Sequence, residues 1–134
     1  MLRIENTVER LFQSTGSRSL IGLVKVMQYS REEELVANAL KIIRYSIKNE
    51  QNHARTIVEY PDLINDVILG VFVNFERSEF INNEMKNILG FYARKKEYAY
   101  LIKPDAISVL ANHPTRIITS MPMLESISKS YLVK

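Results

Sequence analysis

Residues 31–72 read REEELVANALKIIRYSIKNEQNHARTIVEYPDLINDVILGVF, and their pattern decides the fold. Apolar residues recur at Leu35, Ala39, Ile42 and Ile43, widened by Val36 and Leu40. Steps of three and four place them on one face of a helix, predicted over 33–48. Ser30 is its expected cap, with Glu33 as capping-box partner and Glu32, Glu33 and Glu34 suiting the positive helix end. A polar run from Lys48 to Asn52 interrupts the pattern. A short helix over 50–59 follows, with Ala54, Ile57 and Val58 inward, and Tyr60-Pro61-Asp62 breaks it. A third helix over 63–75 turns Leu63, Ile64, Val67, Ile68, Val71 and Phe72 inward.

The same grammar returns in residues 77–111, RSEFINNEMKNILGFYARKKEYAYLIKPDAISVLA. Ile81, Met85, Ile88 and Leu89 take the places of Leu35, Ala39, Ile42 and Ile43, on a helix over 78–93 capped by Ser78. Shorter helices are predicted over 96–102 and 105–111, and Pro104-Asp105 stands 43 positions after Pro61-Asp62. Upstream, a helix over 2–13, a turn at Gly16 and a helix over 18–29 with Leu20, Leu23, Val24 and Met27 inward give half a unit. Downstream, Asn112-His113-Pro114 is a break, and helices over 115–120 and 123–133 would close the stack through Ile117, Ile118, Leu124, Ile127, Tyr131 and Leu132. A period near 40–47 residues is that of helical arrays whose units bury their apolar faces only by stacking. The expectation is one all-α domain over 1–134: a partial unit 1–30, a unit 31–76 and a unit 77–134.

The chain has 134 residues, a net charge of +3 and no cysteine, which removes disulfides and thiolate chemistry. It contains no apolar run of about 18 residues, so no membrane span is expected. The first residues lack the core of a secretory signal, and the expected compartment is cytoplasm or nucleus. His53 and His113 lack metal-ligand spacing and read as exposed polar residues, so no metal or cofactor is expected. Gly22, Gly70 and Gly90 form no phosphate loop and imply close helix–helix approach. No nucleophile elbow is present, and nothing marks an enzyme.

Residues 31–110 resemble armadillo repeats. Ala37, Ala39, Leu40, Ile42 and Ile43 fit that family's long helix, Asn49 and Asn52 its loop, Ile57-Val58-Glu59 its short helix, and Leu63, Ile64, Val67 and Ile68 its last helix; Leu101-Ile102-Lys103 is a looser second match. The resemblance implies a short right-handed α-solenoid that binds a protein or peptide in the groove lined by its long helices. The groove positions are Lys41, Arg44, Tyr45 and Lys48 in one unit, and Asn83, Asn87, Phe91 and Arg94 in the next. The chain has no Trp, so the basic cargo of nuclear-import receptors is disfavoured, and Lys41, Arg44 and Lys48 favour an acidic partner. Apolar residues left outward on a terminal unit would mean a longer array or pairing with another copy.

A narrower likeness lies in Asn74-Phe75-Glu76-Arg77, Phe80-Ile81 and the closing Ser126-Ile127-Ser128-Lys129-Ser130-Tyr131-Leu132. It is similar to the C-terminal armadillo-like region of abnormal spindle proteins, which work at spindle poles in mitosis. Those proteins' microtubule- and calmodulin-binding segments are not in this sequence, so neither binding is implied. The alternative is a nucleic-acid-binding module using basic loops, on the strength of Arg94-Lys95-Lys96 followed by Tyr98 and Tyr100.

Overall fold

Side-chain caps open two of the helices in the computed structural model, which describes residue 10, residues 18–113 and residues 122–132. Among the described residues the chain is all-α, without strands: α1 (Arg18–Tyr29), α2 (Glu33–Lys48), α3 (Glu50–Glu59), α4 (Leu63–Gly70), a one-turn 3-10 helix (Phe72–Phe75), α5 (Glu79–Ala93), α6 (Lys96–Ala99), α7 (Pro104–Ala111) and α8 (Pro122–Leu132). Asn49 separates α2 from α3 by accepting from the backbone N–H groups of Gln51 (2.8 Å) and Asn52 (3.3 Å). Ser78 caps α5 by accepting from Ile81 N–H at 3.2 Å. Pro104 and Pro122 are the first residues of α7 and α8, where a missing N–H costs nothing. The expected cap at Ser30 is corrected. Its hydroxyl accepts from Glu32 N–H at 3.2 Å ahead of the helix, and Glu33 accepts the Ser78 hydroxyl at 2.5 Å instead of closing a capping box.

Packing pairs like with like. α2 lies along α5, α4 lies along α7, and α1 meets both α2 and α4. α8 rests on α6 and α7. The faces between them are apolar: Val36, Leu40, Ile43 and Ile47 on α2; Ile81, Met85, Ile88 and Tyr92 on α5; Ile64, Val67 and Ile68 on α4; Ile107 and Leu110 on α7. Each such side chain, fully buried, contributes about 1.5–3 kcal/mol relative to exposure. Leu124 and Ile127 on α8 are buried as expected. Apart from residue 10, the predicted helix over 2–13 lies outside the described residues, as do the turn at Gly16, the helix over 115–120 with Ile117 and Ile118, and the side chains of Tyr131 and Leu132.

Five expectations are corrected. Leu35 is 45% exposed, because the α2 stripe is centred one residue later, on Val36. On α3, Ala54 and Val58 are exposed, and His53 and Thr56 are buried; Thr56 tolerates this by donating its hydroxyl to the Asn52 carbonyl at 2.8 Å. The helix over 63–75 breaks at Val71 (φ −127°, ψ −62°), which lets both Val71 and Phe72 reach the core. The helix over 96–102 ends at Ala99, and the chain then turns to bury Ile102. Both prolines stand at corners leading into α4 and α7, but Pro61 lies ahead of α4 whereas Pro104 opens α7.

The glycines differ from expectation too. A Cβ at Gly22 or Gly90 would meet nothing within 4 Å, while at Gly70 it would meet the Gln28 side chain at 2.6 Å. Close approach therefore holds only at Gly70, against a side chain. Gly22→Ala and Gly90→Ala should each raise stability by about 0.4–1 kcal/mol, by lowering the entropy of the unfolded chain. Chemical denaturation checks this, and a loss at either position would show that the missing methyl matters.

Candidate functional site

Because α2 and α5 bury neighbouring faces against one another, the stripes beside those faces form the two walls of a groove. The stripe on α2 runs through Glu34, Asn38, Lys41, Tyr45 and Lys48, and that on α5 through Phe80, Asn83, Asn87 and Phe91 to Arg94 just past its end, at steps of three and four. Near the helix N-termini the walls enclose about 620 Å³, lined by Glu33, Glu34, Ala37, Asn38, Lys41, Phe80, Asn83 and Glu84. A second hollow of about 650 Å³ shares Glu33 and Phe80 and runs over the 3-10 helix and the loop to Ser78. Phe80 stands between the two, 72% exposed.

Two of the eight sequence-predicted groove residues, Lys41 and Asn83, line that enclosed space. Arg44 spans the helices: its Nε donates to Glu84 Oε2 at 2.7 Å and its guanidinium lies 4.7 Å from the centroid of the Tyr45 ring. Burial pulls against its charge, but the hydrogen bond and the charge of Glu84 outweigh this and raise its pKa above the ordinary value. Arg44 is thus held by Glu84 and faces a partner only as half of an ion pair. Lys48, Asn87, Phe91 and Arg94 are not among the lining residues and continue the same stripes toward the helix C-termini.

Cations stand over rings at that end. Arg94 lies 4.5 Å from the Phe91 centroid, Lys95 Nζ 5.3 Å from that of Tyr98 and Lys96 Nζ 5.6 Å from that of Tyr100. Beneath them His53 is only 2% exposed, edge-on to Tyr92 (4.8 Å) and Tyr98 (4.7 Å). Burial lowers its pKa to about 4; Arg94 and Lys95 push the same way and Glu50 opposes them. Among the described residues neither His53 Nε2 nor Tyr92 Oη has a hydrogen-bonding partner. Burial raises the Tyr92 phenol above its ordinary value. His113 is likewise buried, stacked on Phe72 at 4.5 Å, with its pKa lowered by burial against the pull of Glu76. Both histidines correct the exposed reading: aromatic neighbours distant in sequence enclose them.

Sequence reasoning missed Phe80, Glu33, Glu34, Asn38 and Glu84 as groove residues. Phe80 carried a readable signal, since it falls on the Asn83–Asn87 stripe and off the Ile81–Met85 stripe. Among the described residues, no three His, Asp or Glu side chains are grouped to hold a metal, and no helix is long and apolar enough to cross a membrane. Comparison with protein-family models, curated proteins and solved structures finds no match.

Proposed function

We propose that this chain is a non-catalytic interaction module, a short right-handed solenoid of armadillo-like units that docks a partner protein or peptide between α2 and α5. The observation that carries the reading is the groove of about 620 Å³ with Phe80 at its mouth. The pairing of α2 with α5 and of α4 with α7 supports a stacked array, because equivalent helices of successive units meet. An exposed aromatic beside a hollow is a docking anchor, and Asn38, Asn83 and Asn87 offer amides to a main chain laid along it. On the spindle resemblance, the partner is a spindle-pole component and the chain acts in the cytoplasm or nucleus during cell division.

Phe80→Asp and a Lys41/Asn83 double alanine change surface residues and should leave the fold intact. Used as bait in extract from dividing cells beside the unaltered protein, each should lose the partners that the unaltered protein retains. An identical retained set would refute the groove. The second reading, a nucleic-acid surface, is favoured by the three cation–ring pairs at Arg94, Lys95 and Lys96. It requires binding to single-stranded RNA or DNA that falls steeply with salt.

A further inference from the structure

We propose that the segment docked between α2 and α5 is an extended peptide of two-ended charge, with its basic end over Glu34 and its acidic end over Arg94 and Lys95. This rests on the groove reading above and adds the chemistry of the partner. α2 and α5 run in the same direction: Glu33, the first residue of α2, meets Ser78 just ahead of α5, and Arg44 farther along meets Glu84 farther along. Both N-termini therefore lie at one end of the α2–α5 seam, where the hollow is, and both C-termini at the other.

The two ends carry opposite charge. At the N-terminal end Glu34 lines the hollow beside Glu33, and among the described residues it forms no ion pair. Each helix dipole adds about half a positive charge there, less than the glutamates supply. In the middle Arg44 and Glu84 cancel, and Lys41 adds one positive charge on the side toward the basic end. At the C-terminal end Arg94, Lys95 and Lys96 are exposed, and no carboxylate among the described residues forms an ion pair with them. Glu50 and Glu97 are the nearest carboxylates in sequence at that end. A one-signed partner would gain at one end and be repelled at the other; a two-ended one gains at both.

Phe80 fixes which end takes which charge. Its exposed ring beside Glu34 suits a Lys or Arg whose aliphatic stem lies on the ring while its head reaches the carboxylate. The spacing follows from helix geometry. Glu34 and Lys48 are about 21 Å apart along α2 at 1.5 Å per residue. An extended chain covers that in about six or seven residues.

The test is selection of a random dodecapeptide display library on the full chain, followed by fluorescence anisotropy of the winning sequences as synthetic peptides. Winners should carry Lys or Arg about six residues from Asp or Glu. Their affinity should drop about five- to tenfold in Glu34→Lys and in Arg94→Glu. Replacing the peptide's basic residues with Glu should restore binding to Glu34→Lys but not to Arg94→Glu. Winners of a single charge sign that still lose affinity in Phe80→Asp would overturn the two-ended assignment and leave the groove standing. Winners indifferent to Phe80→Asp, or no winners, would overturn the groove reading and this inference with it.

Discussion

Asn65→Ala should destabilise the protein by about 3 kcal/mol, lowering the melting temperature by roughly 10 °C. Asn65 sits in α4, 3% exposed, amid Leu63, Ile64, Val67 and Ile68. Its Nδ2 donates to the Leu101 carbonyl at 2.9 Å, and its Oδ1 accepts from Lys103 N–H at 2.7 Å. One side chain thus serves two main-chain groups on the approach to α7, which has no side-chain cap of its own. Truncation takes the partner from a part-buried acceptor and a part-buried donor, each loss costing about 1–3 kcal/mol and here toward the lower end. Asn112→Ala is the matched control. Its amide donates to the Ser108 carbonyl at 3.0 Å on the surface, where water replaces it, so the cost should stay within about 0.5 kcal/mol. The nearby Lys103–Asp62 pair at 3.0 Å is exposed and adds little. Denaturant midpoints at unchanged slope give both values, and an Asn65→Ala shift no larger than the control's would sink the clamp. Amides of α7 should also exchange faster in Asn65→Ala, because the clamp ties that helix to α4.

Asn65 also marks where sequence reading stops. The long helices were legible because their signals are local: Ser78 three residues before Ile81, Glu33 and Glu34 in a first turn, and apolar steps of three and four. Phase was harder. With Leu35, Val36, Ala39, Leu40, Ile42 and Ile43 available, α2 has an apolar arc wider than its contact with α5, and periodicity alone does not say that Leu35 is the residue left out. α3 defeated apolar counting outright. It buries His53 and Thr56 and exposes Val58, because its neighbours are Tyr92 and Tyr98 and because Thr56 satisfies its own hydroxyl. The groove was half legible. Its walls follow from helical spacing, so Lys41 and Asn83 were found; the Arg44–Glu84 pair joins residues 40 apart and has no local signature. That pair bears on the proposed docking, since Arg44 is a cation on which an acidic partner was expected to rely and Glu84 already holds it.

Acid should weaken this fold through His53, by as much as about 3 kcal/mol between neutral pH and pH 4. In the folded chain the imidazole is held neutral down to about pH 4 by burial, aided by Arg94 and Lys95 and opposed by Glu50. In the unfolded chain it titrates near the ordinary value of 6.5. Between those values the unfolded state binds the extra proton, so stability is full above about pH 6.5 and is lost as pH falls toward 4. Below that the folded form protonates too, and this group adds no further loss. The ring geometry explains why the folded state resists. A charged imidazole among Phe91, Tyr92 and Tyr98 would find no acceptor for Nε2 among the described residues, and two cations stand nearby. His53→Gln cannot titrate. Whatever it costs in packing at neutral pH, its stability should fall less steeply over this window than that of the unaltered protein. His113 shifts in the same direction, so part of the slope should survive His53→Gln and flatten further in His53→Gln/His113→Gln. Urea denaturation at half-unit steps of pH measures the slopes, and equal slopes in all three proteins would show that neither histidine is held neutral by the fold.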